Sequence, residues 1–219
     1  MKKYIFITYC IAAVCMFTGC AKSNPSPEDE ALMHFVPTLP GTKATDSAFE
    51  AGDSFGIYAV EYAEGIPSPL QISGNWANNA KASFDGSRWT VTPPIWWKDG
   101  AIFDIFAYYP FDAQLSSVDD YIFEVKADQR QEGFTLSDFM WAKAASVQQS
   151  QGDIALNFKH KLSRLDINLV KGDDYEGDLP ATAEIRIMNT VTSASIDLER
   201  GEIEKNPYGT TGTIITRQW

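Results

Sequence analysis

Short apolar runs separated by turn residues recur along the chain from His34 onward. Many of them alternate apolar and polar side chains, which is the period of a β-strand with one buried face. No window of about eleven residues or more holds apolar residues at the 3.6-residue spacing of an amphipathic helix. The pattern therefore predicts an all-β protein with few or no helices, whose candidate strands are 33–36, 54–60, 82–84, 89–91, 101–109, 121–125, 139–143, 154–158, 163–170, 183–189, 195–198 and 213–216.

The connections between these runs determine how the strands can pair. They are loops without helices, and parallel neighbours need long crossovers, so we expect an antiparallel β-sandwich of two packed sheets. The clearest hairpin flanks Asp85-Gly86, because glycine accepts the positive φ that a tight reversal requires. Both faces of 101–109 are apolar except at Asp104, which predicts a central strand covered on both sides. Its expected core residues are Phe103, Ile105, Phe106 and Tyr108.

The first twenty residues have the pattern of an export signal. Lys2 and Lys3 precede an apolar run over 4–17, which is too short for a permanent transmembrane helix, and Gly19-Cys20 follows at once. The stretch resembles the lipobox of bacterial lipoproteins, so we predict that 1–19 is a signal peptide and that Cys20 is the lipidated residue. The alternatives are an uncleaved anchor helix and an ordinary secretory signal that happens to contain a cysteine.

The mature chain that this signal implies has no cysteine available for a disulfide. Cys10 and Cys15 leave with the signal, and lipid occupies the remaining sulfur. Residues 20–31 have no large apolar side chain before Leu32 and read as an acidic flexible tether, either as plain linker or as an export label. The formal net charge of −11 becomes −13 without Lys2 and Lys3, which argues against nucleic acid or an anionic lipid surface as a partner.

Motifs of enzyme chemistry are absent from the sequence. It contains no Cys-x-x-Cys, His-Glu-x-x-His, phosphate-binding loop or Gly-x-Ser-x-Gly segment, and its histidines are His34 and His160. The acidic stretch 173–178 lacks the first ligand of a calcium loop, which favours a solvated turn. No acidic pair stands out for a glycoside hydrolase, the weakest of the alternatives. We therefore expect no catalytic activity, no cofactor and no metal.

Tryptophan is frequent in the chain and allows two interpretations. Exposed indole rings stack on sugars, which would suit a surface protein that binds glycans through Trp76, Trp89 or Trp97. Large aromatic residues are also the ordinary means of filling a sandwich core without disulfides. Solvent exposure of the rings distinguishes the two interpretations.

Several segments together resemble the fimbrillin family of Gram-negative pilus subunits and surface lipoproteins. The similar segments are 49–58, with Phe-x-x-Gly-Asp-x-Phe-Gly-Ile-Tyr; 96–110, with Trp followed by Phe-Ala-Tyr-Tyr-Pro; 138–142; and 156–165, with Phe-x-His-x-Leu-Ser-x-Leu. The resemblance implies transthyretin-like, Greek-key sandwiches, usually two per protein. It assigns 32–200 to the first of them and leaves 201–219 as the end of that domain or the start of a truncated second one.

The resemblance also implies a mode of assembly. In members that polymerise, a trypsin-like protease cuts after a basic residue near the first strand, and a strand from the next subunit fills the groove left behind. Lys43 lies where the family often has a basic residue, so it is the candidate cleavage site, unless it is a plain loop lysine.

The function that follows is that of a non-catalytic pilus subunit, anchor or tip component involved in adhesion. It would be lipid-anchored in the outer membrane, with other pilus subunits and a host or glycan ligand as partners. The alternative is a lipid-anchored glycan-binding surface protein that uses its exposed tryptophans.

Overall fold

The computed structural model describes residues 31–39, 48–180 and 182–217. These residues form an all-β structure, as predicted. No α-helix occurs among them, and their helical turns are short 3₁₀ segments such as Gln131–Gly133. The strands are β1 Phe35–Thr38, β2 Ser54–Glu61, β3 Ala77–Phe84, β4 Trp89–Thr92, β5 Phe103–Tyr109, β6 Tyr121–Glu124, β7 Met140–Val147, β8 Ile154–Asn157, β9 Lys159–His160, β10 Arg186–Val191, β11 Ser193–Asp197, β12 Glu202–Lys205 and β13 Thr211–Ile215.

A six-stranded antiparallel sheet forms the centre of the molecule. Its strand order is β4-β3-β2-β5-β7-β9, and β5 is buried along its whole length, which confirms the predicted central strand. The β3–β4 hairpin turns at Asp85-Gly86, where Gly86 has a φ of 97°, also as predicted. The remaining strands form a three-stranded sheet, β12-β11-β6, and the pairs β1-β8 and β10-β13.

Each face of the central sheet packs against a separate hydrophobic core. Residues of β5 alternate between the cores, because successive side chains of a strand point to opposite faces. The first core contains Phe103, Ile105 and Tyr109 and is closed by side chains of β8 and the segment before β1. The second contains Phe106 and Tyr108 and is closed by β6 and β11. All four core residues predicted for the central strand are therefore buried.

The predicted strand at 163–170 is wrong, because no strand is formed there. Its alternating apolar residues Leu165, Ile167 and Leu169 are 67%, 42% and 50% exposed. Alternation specifies a strand only when a sheet edge and an apolar layer are present to receive it. Strand β12 was not predicted, because its Glu-Ile-Glu-Lys pattern is mostly polar and exposed. This strand pairs with β11 after a turn at Gly201, where φ is 65°.

Residues from the four segments that carry the family resemblance lie next to one another in the fold. Gly56 of β2 and Trp141 of β7 lie opposite Tyr108 of β5 on its two sides. The Tyr109 hydroxyl donates to the Asp53 carboxylate at 2.8 Å. His160 Nδ1 and Asp138 Oδ1 are 2.8 Å apart. These motif residues therefore form one set of packing and hydrogen-bonding contacts across the central sheet.

Asp104 is a carboxylate buried in the central strand, with 4% of the residue exposed. It receives hydrogen bonds from the Tyr62 hydroxyl at 2.8 Å and the Ser146 amide at 2.9 Å, and the Lys143 ammonium lies at 2.9 Å. Burial opposes ionisation, but the hydrogen bonds from Ser146, Lys143 and Tyr62 outweigh it, so the pKa of Asp104 lies below its usual value. The residue is thus a satisfied structural charge.

Replacing Asp104 with asparagine is expected to lower the free energy of unfolding by about 1.5–3 kcal/mol at neutral pH, because charge-assisted hydrogen bonds are lost. A depressed folded pKa means that the carboxylate stabilises the fold above its unfolded pKa of about 3.9, and that this stabilisation fades as the pH falls. Urea unfolding of the unaltered chain and of the Asp104→Asn variant, at neutral pH and at about pH 3, measures the difference in their unfolding free energies. A difference that widens on acidification would contradict this assignment.

Candidate strand-exchange groove and exposed tryptophans

The segment 31–39, called here the first-strand segment, lies between two different partners. Its start pairs with the chain before β5: the Met33 amide donates to the Ile95 carbonyl at 2.9 Å, and the Trp97 amide donates to the Ala31 carbonyl at 2.8 Å. Its second half, β1, runs parallel to β8 with Phe35 opposite Ile154 and Thr38 opposite Asn157. β1 therefore differs from the predicted strand 33–36 by two residues. It pairs in parallel, whereas the other pairs of named strands in the described residues are antiparallel.

One row of side chains on the first-strand segment points into the first core. Met33 is 5% exposed, and Phe35 and Leu39 pack against the same core. His34, Val36 and Thr38 alternate with them on the outer face. Pro37 lies within β1 without disrupting a sheet interior, since proline is accommodated in edge strands. The segment is thus an apolar strip inserted into the edge of the sandwich.

Removal of this strip would open a groove lined by core residues. Its lining includes Ile95, Ile154, Leu156 and Phe158, each at most 4% exposed while the segment is in place. Within the described part of the chain, β1 is the strand that β8 pairs with. Without it, the β8 backbone and these side chains would face water, a state that favours binding of another strand. The sequence pattern predicted a strand here but not its antiparallel contact with 95–97, because that short stretch forms no regular strand.

The predicted lipidation site Cys20 and the predicted cleavage site Lys43 lie outside the described residues. Both therefore remain predictions. Lys43 belongs to the connection between Leu39 and Ala48, which joins the first-strand segment to the rest of the sandwich. A cut in this connection would leave the segment attached only by non-covalent contacts.

The three tryptophans proposed as glycan platforms lie in different surroundings. Trp89 packs against Phe49 and Phe55, with ring centroids 5.0 and 4.6 Å away, at the edge of the first core. Trp97 packs edge-on to Phe103 at 6.1 Å and is also partly buried. Trp76 is 44% exposed and lines a cavity. Of the three candidates, Trp76 therefore presents the most accessible ring.

The described residues contain no group of three or more His, Cys, Asp or Glu side chains arranged to hold a metal ion. They also include no helix with the length and hydrophobicity needed to cross a membrane.

Comparison with known proteins assigns the family. The model of the fimbrillin-like family matches residues 42–217, most of the chain. The chain therefore belongs to the fimbrillin-like family, as the sequence motifs predicted. A Bacteroides uniformis protein named as a candidate fimbrium subunit, Fim1C, is 29% identical over 98% of this chain and 71% of its own length. A candidate fimbrium tip subunit of Bacteroides ovatus is 22% identical, and this chain spans 36% of its length.

Solved structures have a similar fold. The crystal structure of a candidate cell adhesion protein from Bacteroides uniformis superposes with a TM-score of 0.62 at 27% identity, covering 85% of this chain and 71% of that one. A second candidate cell adhesion protein, from Bacteroides ovatus, has a TM-score of 0.54 at 15% identity, a likeness of fold alone.

Proposed function

We propose that the protein is a non-catalytic, surface-exposed fimbrial subunit that joins its neighbours by strand exchange at the first-strand segment. The observation that carries the proposal is the position of this segment, an edge strip whose inward row Met33, Phe35 and Leu39 closes the first core. The family and the names of the relatives support a role in a fimbrium and in adhesion.

The pairing of the segment suits exchange by another strand. The segment is bound through main-chain hydrogen bonds. The Ile154 amide donates to the His34 carbonyl, and the Phe158 amide donates to the Thr38 carbonyl. Main-chain bonding is largely independent of sequence, while the row of inward side chains would give specificity. A donor strand with apolar residues at alternate positions could therefore replace the segment without a change in the rest of the sandwich.

We further propose that Cys20 carries lipid and holds the precursor on the outer membrane until assembly. Each buried acyl methylene contributes about 0.8 kcal/mol, so two or more chains suffice for stable anchoring. The sandwich domain is proposed to begin near residue 32 and to include β12, because β12 pairs with β11 and Ile203 packs against the second core. On this account, cleavage after Lys43 would remove the lipid and the first strand together.

Limited trypsin digestion tests the cleavage step. The lipid-free chain, beginning at Ala21, is expected to be cut after Lys43 while folded, and then to exchange its own strand for a labelled synthetic peptide of residues 31–39. The Lys43→Gln variant is the matched control and should take up no peptide. Mass spectrometry locates the cut, and fluorescence anisotropy follows the peptide. Resistance of Lys43 in the folded protein, or a cut protein that binds no peptide, would contradict the proposal.

A further inference from the structure

A cavity of about 250 Å³ lies beside the end of β2, under the loop that leads into β3. It is smaller than the ~300–1,000 Å³ that drug-sized ligands occupy, so it suits one small ring. Its lining is mostly polar and includes one large aromatic side chain. The residues used below are Val60, Glu61, Ser68, Gln71, Asn75 and Trp76. This cavity, called here the Trp76 pocket, is not part of the groove beneath β1.

The Trp76 ring is held in place although it is half exposed. Its indole N–H donates to the Trp96 carbonyl at 2.8 Å, and its ring lies 5.9 Å from that of the buried Phe103. Strand β3 begins at the next residue, which fixes the main chain on that side. A rigid aromatic face open to solvent is costly to leave bare and ready to stack on a ligand without further ordering.

Amide side chains fix the loop on the other side of the pocket. The Asn75 side-chain amide donates to the Gln71 carbonyl at 2.6 Å and to Asn78 Oδ1 at 2.7 Å. Asn75 Oδ1 in turn accepts the Gln71 amide at 3.2 Å. Ser68 and Gln71 also line the cavity, and their polar side chains can form hydrogen bonds with a ligand. The pocket is therefore formed before anything binds.

The charges at the pocket are balanced. Glu61 is paired with Lys98, whose ammonium lies 2.6 Å from the carboxylate and 5.7 Å from the centre of the Trp76 ring. A carboxylate that is already neutralised keeps lone pairs for hydroxyl donors but offers no net attraction to an anion or a cation. Hydroxyl-rich neutral ligands fit this arrangement better than charged ones.

We propose that the Trp76 pocket binds one ring of a neutral saccharide. The C–H face of the sugar stacks on Trp76, and its hydroxyls bond to Glu61, Gln71 and Ser68. One stacked ring with a few hydrogen bonds on an open surface gives weak binding, in the millimolar range. Strand exchange plays no part in this proposal, so the failure of either one leaves the other standing.

The test is nuclear magnetic resonance titration of the lipid-free chain with glucose, galactose, mannose, N-acetylglucosamine, lactose and cellobiose. At least one sugar should shift the Trp76 indole N–H signal saturably, and Trp76→Ala should weaken its binding about tenfold or more. Trp96→Ala is the matched control, since Trp96 is about as exposed, at 42%, and the hydrogen bond that it accepts from Trp76 goes to its main-chain oxygen, which the substitution keeps. It should bind like the unaltered chain.

A second variant covers the case in which Trp76→Ala does not fold. Gln71→Ala removes an exposed side chain from the pocket and should weaken the same sugar while leaving the unfolding curve unchanged. The proposal is overturned if no sugar of the panel shifts the Trp76 signal. It is equally overturned if binding survives in folded Trp76→Ala, or if Trp96→Ala loses it instead.

Discussion

Gly56→Ala is expected to destabilise the protein by about 2–6 kcal/mol, far more than one added methyl group ordinarily costs. Overpacking of a well-filled core costs about 1–3 kcal/mol, and leaving buried hydrogen-bonding groups unsatisfied costs about as much again. A Cβ at this position would lie 2.6 Å from Tyr108 Cζ and 2.7 Å from Asn79 Oδ1. The Tyr108 hydroxyl donates to Asn79 Oδ1 at 2.7 Å, so displacing either group by itself would strain this bond.

Urea unfolding measures this loss of stability, and two further variants test whether it arises from contact with Tyr108. Gly172→Ala is the control, because a Cβ there meets nothing within 4 Å, and its stability should change by less than about 0.5 kcal/mol. In the background of Tyr108→Ala, the Gly56→Ala change should cost much less, since the ring that it strikes is gone. Additive losses in the double variant would show that Gly56 matters for some reason other than contact with Tyr108.

The central sheet was predictable because the apolar pattern and the turn residues that specify it lie within its own segments. Strand 101–109 has apolar residues on both faces, so any fold that buries it must cover both, and the β3–β4 turn needs a glycine at position 86. Motif residues such as Gly56 and Tyr108 could be recognised from the sequence, but their contact could not. That contact depends on the register between β2 and β5, which the pattern of either strand alone does not fix.

The periphery was less predictable, because its structure depends on neighbours. Segment 163–170 alternates as well as any strand of the protein, yet it forms none among the described residues. β12 has an unremarkable polar pattern but forms because β11 offers it an edge. From the sequence, only the tryptophan of the Trp76 pocket could be identified, since the amide groups that shape the pocket come from the surrounding loop.

A disulfide that locks the first strand in place is expected to block assembly completely. Val36 and Ala155 lie opposite each other in the β1–β8 pair, and both side chains are on the outer face. The double variant Val36→Cys/Ala155→Cys can therefore form a disulfide without disturbing the core, and an oxidising compartment favours its formation. The bond closes a long loop, so an unfolding free energy raised by about 2–4 kcal/mol would verify that it has formed.

The central claim is that the first strand must leave for subunits to join. Its most direct test is to express the double variant in the parent cells, shear off the fimbriae and measure its content in them by immunoblot. We expect the oxidised variant to reach the cell surface but to be absent from fimbriae, whereas each single cysteine variant is incorporated normally. Incorporation of the oxidised double variant at the level of the unaltered protein would contradict strand exchange at β1.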